Sequence, residues 1–286
     1  MKTLLSSRPI WSLLLAVVLL PAAARAQYGG RGGLRTTTIR DPAELGFLEQ
    51  MNNAIKPAFK DDVFTFARLI YQSSGYGRGG RGWQDDTPDS DLNLRWRLFQ
   101  VTSLKVGAGV GYKYINITPS ELAEYPFAYM TATDNLALST EECTALRNYM
   151  LNGGFVMADD FWGDLSWMHV RAEFKLIFPD LNPVELPLNH PVYHAVFNFK
   201  YAPQIPSAGY GYRGTSWDAA DYAGDHDAHY YGIFDKRNRM MAILCRNNHY
   251  GDGWEHEGEN RDYFDRFSMA QAYPMFINIL FYSMTH

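Results

Sequence analysis

The chain has 286 residues, 47% hydrophobic and 20% charged, with a net charge of −5 and two cysteines. That balance belongs to a folded globular protein and excludes disordered, collagen-like, coiled-coil and disulfide-stapled chains. An acidic chain is also a poor match for a nucleic-acid backbone, which is held by clustered Lys and Arg.

Lys2 and Arg8 open the sequence, Ile10 to Leu20 is apolar, and Ala24-Arg25-Ala26 puts small residues where a signal peptidase reads them. The pattern predicts a secretory signal over 1–26, cleaved after Ala26. The apolar run is short against the roughly 20 residues that a spanning helix needs. Removing those 26 residues and their three cations leaves 260 residues carrying −8. The expectation is an exported protein, periplasmic or secreted, without a membrane span after cleavage. Cys143 and Cys245 could pair in that compartment, but each lies in an apolar segment of one core, which favours buried free thiols.

From Gln27 the chain reads QYGGRGGLRTTT, too poor in apolar residues to fold alone. Residues 27–59 are therefore read as a Gly/Arg-rich tether and lead-in, and 60–286 as a single α/β domain. The Gly-rich stretches 73–82 and 208–214 are read as loops. Between them strands and helices alternate. Val63 to Tyr71 alternates with β-branched and aromatic residues and is a first strand. A helix over 90–102, capped by Ser90, carries Leu94, Leu98 and Val101. Tyr112 to Ile117 is a short strand, and Phe127 to Thr131 is a strand buried on both faces. Ser139-Thr140-Glu141-Glu142 is a capping box, with Cys143, Leu146 and Met150 on one helical face and Gly153-Gly154 as the stop. Phe155 to Ala158 is a further buried strand ending at Asp159-Asp160. Ser166 to Phe178 is a helix stopped by Pro179. Tyr230 to Asp235 and Met240 to Arg246 flank a polar turn and form a hairpin. Ser268 starts a closing helix that Pro274 should kink or delay. Strand-helix units of this kind build a mostly parallel doubly wound sheet, whose ligands lie beyond the carboxyl ends of the strands.

That rule singles out Asp159 and Asp160, with Trp162 and Asp164 just beyond. Paired carboxylates there can hold a cation, act as acid and base, or grip sugar hydroxyls; alternatively Asp160 or Asp164 caps the next helix. His190, stiffened by Pro191, is a candidate base or ligand, and His194 a weaker one. The loop 218–229 holds Asp218, Asp221, Asp225, His226, Asp227 and His229. It reads as a solvated acidic loop or, through Asp225 and Asp227, as a hard-cation site. Trp254 beside Glu255, within Asp252 to Glu257, is either an aromatic platform with an adjacent acceptor or a hydrophobic latch. No nucleophile elbow follows the strand at 155–158, no Gly-x-Gly-x-x-Gly follows the first strand, and there is no phosphate loop. Cys245 with His249 lacks the small residues of a tight nucleophile turn. No cofactor is expected beyond a possible divalent cation.

Phe64-Thr65-Phe66-Ala67-Arg68-Leu69, Asp91-Leu92-Asn93-Leu94, Tyr125-Pro126-Phe127, Leu146-Arg147-Asn148-Tyr149 with Gly153-Gly154-Phe155, Asp159-Asp160 and His190-Pro191 stand in this order. The set resembles the bacterial domain-of-unknown-function family numbered 4159 over about residues 60 to 284. The resemblance implies the class I glutamine amidotransferase-like superfamily, similar in outline to trehalose-utilisation-type proteins. It implies a flavodoxin-like three-layer sandwich with, here, a C-terminal hairpin and closing helix. It implies no established activity, and the amidotransferase nucleophile cysteine has no counterpart. Relatives with membrane segments and membrane-anchored partners imply a cell-envelope setting. The first reading is thus a non-catalytic exported domain that binds a ligand or envelope partner at the strand ends. The alternative is a metal- or carboxylate-dependent hydrolase of a carbohydrate or peptidoglycan-like substrate, using Asp159 or Asp160 with His190.

Overall fold

A computed structural model describes residues 63–74, 82–106, 111–218 and 224–286. The expected signal 1–26, the tether 27–59, most of the loop 73–82 and Asp221 lie outside the described residues.

Nine short strands occur among the described residues: β1 Phe66–Ile70, β2 Gln72–Ser73, β3 Tyr112–Asn116, β4 Phe127–Met130, β5 Leu136–Ala137, β6 Phe155–Ala158, β7 Val184–Glu185, β8 His229–Phe234 and β9 Met240–Arg246. Seven form one sheet in the order β3-β1-β4-β6-β9-β8-β7, and β2 and β5 form a separate pair. The pairings from β3 through β9 are parallel, whereas β8 runs antiparallel to β9 and β7 antiparallel to β8. Residues 229–246 therefore form the expected hairpin.

The central strands are buried on both faces, so side chains of period two feed two cores. Phe127, Tyr129, Phe155, Met157, Ile243 and Cys245 enter one core, while Ala128, Met130, Val156, Ala158, Ala242 and Leu244 enter the other. The helices are α1 Asp89–Val101, α2 Pro119–Leu122, α3 Thr140–Leu151, α4 Gly163–Ile177, α5 Ala208–Gly211, α6 Tyr250–Glu255, a turn Arg261–Tyr263 and α7 Tyr273–Thr285. Helices α1 and α7 cover the first core through Leu94, Leu98, Phe276 and Ile279. Helices α3 and α4 cover the second through Leu146, Met150, Val170 and Phe174. The result is a mixed α/β protein with a mostly parallel sheet between two helical layers. Cys143 and Cys245 are free and buried in opposite cores. No helix among the described residues is long and apolar enough to cross a membrane.

The capping box forms as expected: Ser139 Oγ accepts from Glu142 N–H, and Glu142 accepts from Ser139 N–H at 2.8 Å. Four expectations need correction. Ser90 does not cap α1; it lies inside the helix, and its hydroxyl accepts from the Arg68 guanidinium at 2.8 Å, because buried Arg68 needs more acceptors than Asp91 alone supplies. Helix α4 begins at Gly163, whose φ of 74° admits the tight entry. The stretch 208–214 opens with one helical turn, its Ala208 N–H held by Asp252. The closing helix starts before Ser268, as a π-wound run over Phe264–Ala272 that passes directly into α7, and regular α-winding is delayed to Tyr273, next to Pro274, as the proline leads one to expect.

Candidate functional site

Strand ends at the carboxyl edge are unusually bent. Ala132 after β4, Asp160 after β6 and Asn247 after β9 have φ of 48°, 52° and 56°, and Asp86 in the lead-in to α1 has 61°. Such left-handed turns cost non-glycine residues energy and persist only where surrounding bonds hold them. Tyr71 Oη donates to the carbonyls of Thr131 and Ala132 at 2.7 and 2.8 Å. Thr133 Oγ1 donates to Asp159 O at 2.9 Å, Asn247 N to Phe161 O at 2.9 Å, and Gly163 N to Asn247 Oδ1 at 2.8 Å. His249 N donates to Ile205 O at 2.8 Å, tying the β9 exit to the segment before α5.

These turns converge on His249, which is 6% exposed. Its Nε2 lies 3.1 Å from Asp86 Oδ2. Its Nδ1 faces Ser207 Oγ at 3.3 Å and the carboxylates of Asp160 and Asp252, each at 3.6 Å. Three chain segments besides its own thus meet at one imidazole. Asp85, Asp86 and His249 offer ligand atoms within 4.8 Å of one another, and Asp252, Glu255 and His256 form a second such group. His256 Nε2 is 3.5 Å from Asp252 and 3.3 Å from Glu255.

The electrostatics follow from burying more carboxylates than cations. Burial alone would depress the His249 imidazole, but Asp160, Asp252 and Asp86 together hold it well above the ordinary histidine value. Asp252 is opposed by its own burial, yet His249 and His256 pull it well below the carboxylate range. Burial, then repulsion from Asp86, pushes Asp85 up to about 6 and Glu255 to about 7. Asp159 is fully enclosed, and burial raises it to about 7 although Tyr129 Oη and Tyr250 N donate to its Oδ2 at 3.0 and 2.6 Å. Its Oδ1 is buried without a hydrogen-bond partner among the described residues.

The sequence-derived candidates separate cleanly in space. Asp159 and Asp160 stand at the end of β6, and α4 has no side-chain cap, so neither Asp160 nor Asp164 serves as one. Asp164 instead pairs with Arg246 at 2.5 Å. Trp162 and Trp254 are 1% and 0% exposed. Trp254 lies in the core against Phe66, Tyr129 and Phe276, so it is a packing residue and presents no face to a ligand. Glu255, its neighbour, does reach the cluster. His190 is remote: its Nδ1 accepts from Val192 N at 3.2 Å, and its ring packs on Tyr282 and Phe234. Phe234 pairs with Met240 at the amino end of β9, the far edge of the sheet from Asp159. His194 bonds Asn198 and Leu188 O.

The 218–229 loop is split. Asp218 is buried and accepts from Ser207 N–H and O–H. Asp225 accepts from Asp227 N–H and meets His229 at 2.5 Å, while His226 stacks on Trp217. Neither Asp225 nor Asp227 belongs to the groups with metal-ligand spacing found among the described residues. Asp85 and Asp86 were not singled out by the sequence, although they repeat the Asp159-Asp160 doublet ahead of a helix. Cys245 is fully buried, with burial raising its thiol, so His249 turns to the carboxylates and not to sulfur.

A comparison with curated proteins finds no match. The family model described as domain of unknown function (DUF4159) matches residues 65–284, which takes in all seven strands of the main sheet and the whole carboxylate–imidazole cluster. The chain belongs to the DUF4159 family.

Proposed function

We propose that the strand-end cluster is a divalent-cation centre, and that the chain is an exported domain that binds its ligand or cell-envelope partner through it. The carrying observation is the two-sided setting of His249: Nε2 meets Asp86 beside Asp85, while Nδ1 faces Asp160 and Asp252. Ligating histidines typically turn their second nitrogen to a carboxylate, which fixes the ring and raises its basicity. A cation at Asp85, Asp86 and His249 would take the place of the imidazole proton and neutralise the buried excess of carboxylates. One nitrogen and carboxylate oxygens suit Zn²⁺ or Mn²⁺ better than Ca²⁺.

The parallel strands, taken in chain order, are arranged 2-1-3-4-5, which supports the flavodoxin-like form of the sandwich and placement with amidotransferase-like proteins. A second reading, a hydrolase of a carbohydrate or peptidoglycan-like substrate, is favoured by Asp160. Its carboxylate stands at a strand-to-helix turn with φ 52°, 3.6 Å from an imidazole, a pairing suited to metal-assisted or general acid–base hydrolysis.

Thermal unfolding after chelation, with Zn²⁺, Mn²⁺, Mg²⁺ or Ca²⁺ restored, tests the cation centre. A cation at 100 times its Kd adds about 2.7 kcal/mol, and the resulting rise in Tm should vanish in both Asp86→Asn and His249→Gln. A rise that survives both variants, or none with any cation, overturns the proposal. Release of reducing ends from peptidoglycan by the cation-loaded protein, abolished by Asp160→Asn, would advance the hydrolase reading.

A further inference from the structure

The amino edge of the sheet, opposite the cation cluster, carries two cavities of about 480 and 1160 Å³ that meet at Asn152 and Gly153. The smaller is lined by Leu122, Tyr125, Pro126, Asn148, Tyr149 and Asn152. Tyr149 Oη donates to Phe155 O at 3.3 Å, which fixes its ring. The Asn152 amide nitrogen donates to Asn148 O at 2.8 Å, leaving its carbonyl oxygen for a ligand hydroxyl. Aromatic faces with amides beside them match the alternating C–H and O–H surfaces of a sugar ring.

The larger cavity changes character. Arg147, Lys236, Arg237 and Arg239 line it, against Asp180 and Asp235. Two of these cations are engaged by the protein: Arg147 donates to Ile177 O at 2.5 Å and Leu176 O at 3.0 Å, and Arg239 donates to Met150 O. They offset the negative ends of α4 and α3, which point at this edge. Asp235 is taken up by Arg239 and by the Arg237 N–H that fixes the β8–β9 turn. Lys236 and Arg237 are exposed on that turn and form no ion pair among the described residues. An otherwise acidic protein thus carries a net positive groove continuous with an aromatic one.

We propose that this groove binds an acidic linear glycan, with sugar rings against Tyr125 and Tyr149 and sugar carboxylates on Lys236 and Arg237. Charge-assisted contacts to carboxylates are the stronger ones, and the joined cavities suit a chain better than a single ring. The site lies at the sheet edge remote from His249 and stands independently of the cation centre.

Calorimetric titration of the protein in chelator with a galacturonate hexamer tests this, beside its methyl-esterified form and poly-glutamate. The hexamer should bind, and both the ester and the Lys236→Gln/Arg237→Gln variant should lose about tenfold or more in affinity. Tyr125→Ala should lose a similar factor. Melting temperatures equal to the parent's establish that the surface variants remain folded. The proposal fails if the hexamer does not bind or if the ester binds equally well. Poly-glutamate binding as tightly as the hexamer and ignoring Tyr125→Ala also refutes it, by assigning the groove to acidic peptides.

Discussion

Asp159 offers the sharpest test of the electrostatic argument, because it lies in full enclosure beside a cluster of like charge. Replacing it with Asn keeps an oxygen for the Tyr129 hydroxyl and the Tyr250 amide and removes the ionisable group, while the new amide –NH2 in place of the unpartnered Oδ1 adds a cost that does not vary with pH. Burial raises this carboxyl from 3.8 to about 7, so between those values the folded protein holds a proton that the unfolded chain has released. Stability must therefore fall as pH rises through that window. Three pH units at 1.4 kcal/mol each give about 4 kcal/mol at pH 8, against about 2 kcal/mol at pH 5. The stability of Asp159→Asn relative to the parent should accordingly rise by about 2 kcal/mol between pH 5 and pH 8. Urea unfolding of both proteins at the two pH values measures this through the midpoint at constant slope. A difference between the two proteins that does not change with pH would refute the assignment of a buried acid with a raised pKa.

Three further outcomes follow from the same structure. Arg68 and Asp91 form a pair with 0% side-chain exposure, so Arg68→Leu should cost about 3–5 kcal/mol in urea unfolding, and adding Asp91→Leu should recover much of it. If the double variant is no better than the single, the cost is packing and not unpaired charge. A Cβ at Gly251 would stand 1.7 Å from Asp86 Oδ2; Gly251→Ala should thus displace Asp86 and abolish the cation-dependent rise in Tm, and a preserved rise would remove Asp86 from the ligand set. His256 is raised to about 10, mainly by Asp252 working against burial. Its stabilising contribution is complete below the ordinary histidine range and lost as pH approaches 10, so His256→Gln should flatten the decline in Tm between pH 7 and 10.

The parts of the fold that could be read from sequence are those where local chemistry decides. The capping box at Ser139, the apolar four-residue strands at 127 and 155, and the hairpin around Lys236 each declare themselves in a few neighbouring residues. The strand-end rule also placed Asp160 at the carboxyl edge of the sheet, where it stands 3.6 Å from His249. What escaped depends on distant partners. Trp254 beside Glu255 looks the same in sequence whether the indole faces a sugar or packs on Phe276. His190-Pro191 resembles a poised turn, but its ring packs on Phe234, at the sheet edge opposite Asp159. Asp85 and Asp86 follow a Gly-rich stretch that reads as a plain loop, and only the fold brings them to His249.

Asp86 and His249 are 163 residues apart in the chain, and the strand that delivers His249 completes the parallel sheet by joining β6. Contacts of such long sequence separation are costly to form early in folding. The imidazole cage is therefore among the last things the chain can build, since no partial fold lacking β9 possesses it. A chain interrupted before β9 would keep the carboxylates of Asp86 and Asp160 but lose the imidazole that lies between them.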